Sequence, residues 1–301
     1  MFGASAGSLY GNDMVLVMAT TTPDETVTIP CQNAGTFNAS IDWGDGSTSA
    51  ITAYNDANLA HVYADADDHT IRISGTFPNI YFANGGDNLK LKKVLQLGIT
   101  GLINLGRAFW GCSNMTEFLG GVVDTSTVTS MRQVFHNCTS LTTLDVSGFN
   151  TSAVTTMLQT FHTCSSITTL DVSGFDTSAV TDMLQTFVNC TSLTTLDVSG
   201  FNTSAVTTMF YMFFNCTSLT DAAIDGWNIE AVANFANFMT GVTLPTARYD
   251  ATLIAWDAQN PIDSLSVNFG LSKYTLGSDA ATARANLVST DLWSITDSGG
   301  I

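Results

Sequence analysis

Leu141–Cys164 reads LTTLDVSGFNTSAVTTMLQTFHTC, and Ser165–Cys190 reads SSITTLDVSGFDTSAVTDMLQTFVNC. Aligned on Thr139–Cys164, the second block is identical at 20 of 26 positions. A fixed period of about 20–50 residues is the signature of a repeat array, whose units cannot bury their apolar faces alone. The cysteines give the period outward in both directions: Cys112, Cys138, Cys164, Cys190 and Cys216 are each 26 residues apart. Phe109, Phe135, Phe161, Phe187 and Phe213 precede them by three residues. Val128, Val154, Val180, Val206 and Val232 form a third column, and Met131, Met157, Met183, Met209 and Phe235 a fourth. With the divergent first and last units, the array covers six units over 87–242.

Within one unit, Leu141, Leu144 and Val146 are apolar, while Thr143, Asp145 and Ser147 point the other way. This alternation predicts a short strand. Gly148 then turns the chain. Val154, Met157, Leu158 and Phe161 lie at i, i+3, i+4 and i+7, a spacing that predicts a short helix opened by Thr151 or Ser152. One strand and one helix per 26 residues reads as an α/β solenoid of leucine-rich repeats, a parallel sheet plus short helices. A small all-β sandwich is expected before it at 14–78, where ETVTIP, FNASIDWGDGSTSAIT, AHVYA and HTIRISG are β-like runs between turn residues. Residues 1–13 read as a flexible arm, 79–86 as a bridge and 243–301 as a C-terminal cap.

The charge balance bounds the partners. Nine Lys and Arg face 26 Asp and Glu, a net charge of −17, with no Lys or Arg before Arg72 or between Arg132 and Arg248. Such a surface repels phosphate backbones and anionic lipid, so binding to nucleic acid or a membrane surface is not expected. No stretch approaches 18 apolar residues, so membrane insertion is not expected either. The opening MFGASAGSLYGNDMVLVMATTT has no basic n-region and only the short apolar run MVLVMA, so a classical export signal is not expected.

Three units, SLTTLDVSGFNTSAVTTMLQTFHTC, SITTLDVSGFDTSAVTDMLQTFVNC and SLTTLDVSGFNTSAVTTMFYMFFNC, resemble the BspA-like leucine-rich-repeat surface proteins. The segment IDWGDGS…HVYADADDHTIRISG is similar to PKD-type sandwiches, in which Trp43-Gly44-Asp45-Gly46 would form a turn and His61 and Tyr63 would brace the following strand. The order of these parts is similar to that of phage tail and surface proteins. The resemblance implies adhesion and display, with no catalytic residues.

The candidate ligand face consists of Thr143, Asp145 and Ser147, Thr169, Asp171 and Ser173, and Thr195, Asp197 and Ser199. Asp145, Asp171 and Asp197, one rung apart, repel one another and are weak candidates for Ca²⁺, the favoured reading being a solvated acidic face that discourages aggregation. No other cofactor or metal is expected. Asp42, Asp45, Asp65, Asp67 and Asp68 read as turn residues. The cysteine column reads as a reduced core ladder rather than a disulfide framework, and His136 and His162 as surface neighbours of it. No nucleophile elbow, HExxH or phosphate-binding loop occurs, and near-identical copies give no Asp a unique environment.

The expected function is therefore non-enzymatic: a phage virion structural or adhesion protein, a tail-fibre, tail-tip or head-decoration component at the particle surface. Its expected partners are other virion proteins, through the arm or the sandwich, and a host surface glycan or protein, with homo-oligomeric assembly. A bacterial cell-surface leucine-rich-repeat adhesin is the alternative, and a polysaccharide-degrading tailspike-like enzyme a minor one.

Overall fold

A computed structural model describes residues 9–301. Most of the expected flexible arm, 1–8, lies outside the described residues. The short apolar run becomes the strand β1 (Met14–Ala19), in which every residue is buried. A strand apolar on both faces has to be covered on both. β1 is also paired on both edges, and this places it at the middle of the main sheet.

The chain continues through β2 (Glu25–Thr28), β3 (Asn38–Asp42), β4 (Thr48–Ile51), a 3₁₀ turn at Ala57–Leu59, β5 (Ala60–Tyr63), β6 (Asp68–Thr76) and β7 (Leu91–Gln96). Two short strands follow in the repeats, β8 (Glu117–Leu119) and β9 (Thr143–Asp145). The C-terminal part adds α1 (Thr246–Asp257), β10 (Ser266–Asn268), α2 (Asp279–Ser289) and β11 (Ser294–Thr296).

The main sheet has seven strands in the order β4-β3-β6-β1-β7-β8-β9. It is antiparallel from β4 to β7 and parallel from β7 to β9. β2 and β5 form a separate antiparallel pair, and β10 and β11 a parallel one. In the turn between β3 and β4, Gly44 sits at φ +84°, where an added Cβ would lie 2.5 Å from the Thr70 carbonyl oxygen. Only glycine fits there. Tyr63 Oη donates to the Trp43 carbonyl at 2.7 Å, and His61 stacks on the Trp43 ring at 5.0 Å.

The expected fold class is corrected by these elements. The chain is mostly β, built on one mixed sheet that runs from the N-terminal strands into the repeats, and a leucine-rich-repeat solenoid of parallel sheet plus helices is not found. Both α-helices lie after residue 245, and none lies in a repeat. The segment expected to be helical, TSAVTTMLQTF, is turns and bridges. Its N–H groups reach sideways: those of Met157, Gln159 and Phe161 donate to the carbonyls of Asp182, Leu184 and Thr186, in the next repeat. A helix would need those donors for the residue four positions back.

Left-handed residues enforce the change. Gln133, Gln159 and Gln185 have φ of 57°, 55° and 57°, and Asn137, Thr163, Asn189 and Asn215 lie at 58–60°. An L-residue in this region costs roughly 1–2 kcal/mol, and a helix cannot pass through it. Side-chain amides offset the cost: Gln133 Nε2 donates to Gln159 Oε1 at 2.7 Å, and Gln159 Nε2 donates to Gln185 Oε1. Arg107 Nε caps this ladder on Gln133 Oε1 at 3.0 Å.

The repeat columns stack as core. Successive rings from Phe109 to Phe213 lie 5.4–5.8 Å apart and within 13° of parallel. The valine, methionine and cysteine columns are buried beside them. Each large apolar side chain so buried contributes roughly 1.5–3 kcal/mol. The phenylalanine stack ends against Trp227 and Phe238, and Trp256 of α1 covers Phe238 in turn. Asp297, almost fully buried, accepts from Tyr249 Oη and from Arg284 Nε, each at 2.7 Å, and so ties α1, α2 and the tail together.

Candidate functional site

The three predicted rungs project from one face. Thr143, Asp145 and Ser147, Thr169, Asp171 and Ser173, and Thr195, Asp197 and Ser199 are all exposed, while Val146, Val172 and Val198 between them are buried. The bridge from Thr169 to Thr195 joins the second and third rungs, and the bridge from Thr156 to Asp182 holds the units of the first and second in register. Neighbouring rungs in such a sheet are about 4.8 Å apart.

Each aspartate closes a turn of its own. Ser147 N and Oγ donate to Asp145 Oδ1 at 3.0 and 2.7 Å, and Ser173 N and Oγ to Asp171 Oδ1 at 3.0 and 2.6 Å. Ser199 N donates to Asp197 Oδ1 at 3.0 Å. The serine bonds hold the Asp171 and Asp197 carboxyls below the usual carboxylate range, against the opposing pull that Asp197 exerts on Asp171. Among the described residues no group of three or more His, Cys, Asp or Glu converges as a metal site would. Asp42 and Asp45 likewise serve as turn acceptors for Gly44 N and Ser47 N.

Other sequence candidates fall away from this face. The five cysteines of the repeat column are buried and free, and Cys138, Cys164, Cys190 and Cys216 donate to phenylalanine carbonyls 29 residues earlier. His136 and His162 stack at 4.4 Å in parallel planes, half-buried, and His136 Nδ1 has no hydrogen-bond partner among the described residues. Burial, aided by the His162 charge, pushes His136 down to about 4. Asp45, His61 and Ser47 lie together, but both partners approach the same ring nitrogen, at 2.7 and 3.4 Å. A relay needs one partner on each nitrogen.

The face ends in features that the repeat pattern does not announce. On its first side Lys93 Nζ pairs with Glu117 Oε2 at 3.0 Å. On its last side Arg248 of α1 reaches back: Nε meets Asp221 Oδ1 at 2.9 Å and Nη1 meets Asp225 Oδ1 at 2.7 Å. Here lies a cleft of about 560 Å³, whose lining includes Thr195, Asp197, Asp221, Ala223, Asp225 and Arg248. Three lining residues, Thr195, Asp197 and Ser199, were legible in the repeat. Asp221, Ala223 and Asp225 were signalled only by the departure of the next unit, LTDAAIDG, from LTTLDVSG, and Arg248 by no repeat pattern.

The family model described as "Mycoplasma protein of unknown function, DUF285", a domain associated with BspA-like surface repeat proteins, matches residues 103–195 and 143–256. The two matches overlap and together cover just over half of the chain. The chain belongs to this family. The DUF285 region contains all three rungs, the end cleft and most of α1, whereas β1 to β7 and the residues after 256 lie outside it. No curated protein and no solved structure is similar to the chain. No helix among the described residues is long and apolar enough to cross a membrane.

Proposed function

We propose that the chain is a non-enzymatic adhesion and display protein of a phage particle, a tail-fibre, tail-tip or head-decoration component that presents its repeat face to a host surface. The observation that carries this reading is the repetition of one exposed Thr–Asp–Ser rung three times in register. Equal copies suit recognition by many weak contacts, each raising the effective concentration for the next. They do not single out a catalyst, which needs a group in a distinct environment. The resemblance of the repeats to BspA-like surface proteins, and of residues 14–78 to PKD-type domains, supports a surface role. In this reading the N-terminal region attaches the chain to other virion proteins, the rungs face a host glycan or protein, and several copies assemble on one particle.

Mass spectrometry of purified particles tests the proposal: peptides of this chain are expected to remain with the particles through a density gradient. Their absence from particles, with the chain found on the producing cell, would favour a cell-surface adhesin. That second reading has one observation of its own, the description of its family as Mycoplasma proteins.

A further inference from the structure

The end cleft is a rung of the face rewritten. Where the preceding rungs have Thr195, Asp197 and Ser199, the next has Asp221, Ala223 and Asp225, each 26 residues on. Loss of the central carboxylate at Ala223 leaves a hollow beneath Asp197, and the flanking positions gain carboxylates that Arg248 spans. A cleft of about 560 Å³ lies within the range of small-ligand sites, roughly 300–1,000 Å³.

Its hydrogen-bonding inventory points to one ligand chemistry. The guanidinium has five N–H groups in a planar fork. Nε, Nη1 and Nη2 each use one on Asp221 or Asp225. Among the described residues, Asp225 Oδ2 and Asp197 Oδ2 accept no hydrogen bond, and Thr195 adds a hydroxyl. Donors and acceptors therefore stand side by side over a small apolar floor of Ala223 and Leu196. Adjacent hydroxyl groups, each able to donate and accept at once, complement such a surface. An anion does not, because three carboxylates outnumber one guanidinium. A bare cation finds no converging ligand set among the described residues.

We infer that this cleft binds a neutral saccharide, with a pair of adjacent hydroxyls held between Asp225, Arg248 and Asp197. The inference rests on the surface-recognition reading and adds a single defined subsite to it. Saturation-transfer NMR and calorimetry on the full chain, with the methyl glycosides of glucose, galactose and mannose as probes, test it. At least one is expected to bind with a Kd of about 1 mM or tighter. Ala223→Asp, which restores the residue that the three earlier rungs carry, is expected to weaken binding at least about tenfold. Gly226→Gln is a second way to obstruct the cleft without disturbing the fold, since an added Cβ there meets nothing within 4 Å. Asp145→Asn, two rungs away, is expected to leave binding unchanged. No binding of any of the three glycosides would overturn the inference, as would binding that both cleft variants leave intact. Equal weakening by Asp145→Asn would assign recognition to the whole face and overturn the cleft alone. None of these results bears on whether the chain is found in particles.

Discussion

The Cys164 thiol donates to the Phe135 carbonyl oxygen at 3.1 Å, one repeat back in the stack and 29 residues away in the chain. The same bond recurs at Cys138, Cys190 and Cys216. Each buried sulfur satisfies a carbonyl of the neighbouring repeat.

Thiol reactivity follows from this arrangement. The thiolate is the reactive form, and burial pushes the Cys164 thiol up to about 12 and the half-buried Cys31 thiol up to about 11. In the native chain at neutral pH, an aromatic disulfide reagent is expected to titrate at most one thiol, slowly, at Cys31. In guanidinium chloride all six cysteines should react. Rapid native reaction of two or more thiols would contradict the packing.

Acid should loosen the stack through the histidine pair. His136 in the fold titrates at about 4, below its ordinary value of 6.5, because burial and the facing His162 disfavour its charge. The unfolded chain therefore takes up the proton first as pH falls. Stability is expected to be unaffected by this group above pH 6.5 and to decline between 6.5 and about 4. Replacing both residues by Gln should flatten that part of the melting-temperature profile. An unchanged slope would assign the acid sensitivity elsewhere.

Asp171→Asn is expected to leave folding intact, with a change within about 0.5 kcal/mol. An amide oxygen can accept from Ser173 N as the carboxylate does, and the repulsion from Asp197 is relieved. Thermal melts with and without Ca²⁺ check this. A large loss of stability would make the column structural, and a Ca²⁺-dependent melt lost in the variant would make it a cation site.

Asp297→Ala should cost about 2–3 kcal/mol, below the range for a fully buried pair because the Arg284 side chain keeps 23% of its surface. The variant strands the Arg284 charge and removes the acceptor of Tyr249 Oη. Urea unfolding measures it, and loss of the contact between α1 and α2 should appear first as faster amide exchange in both helices. A cost near zero would show that packing alone holds the cap.

Much of the local pattern could be read directly from the repeat. Val154, Met157, Phe161 and Cys164 are buried as the columns demand, and Thr143, Asp145 and Ser147 are exposed as the alternation demands. The expected helix at TSAVTTMLQTF failed for a specific reason. Its apolar spacing of i, i+3, i+4, i+7 is met equally by a series of turns, and the left-handed backbone at Gln159 and, just beyond it, Thr163 is invisible to hydrophobic periodicity. Recurrent Asn at 137, 189 and 215 was the available signal, since Asn tolerates this conformation better than most residues. Glutamine gave no such warning, because its place there depends on a ladder that only stacked copies can form.

By itself, then, the sequence determined the period, the buried columns and the exposed rungs, because side-chain hydrophobicity repeats with the chain. Only the tertiary structure decided where the backbone hydrogen bonds go. They run to the next repeat rather than along a helix, since the partner carbonyl exists only once two repeats lie side by side. It also decided that β1 joins the N-terminal strands and the repeats in one sheet, and that Arg248 closes the last rung. Both depend on contacts between residues far apart in the chain, and no local pattern encodes them.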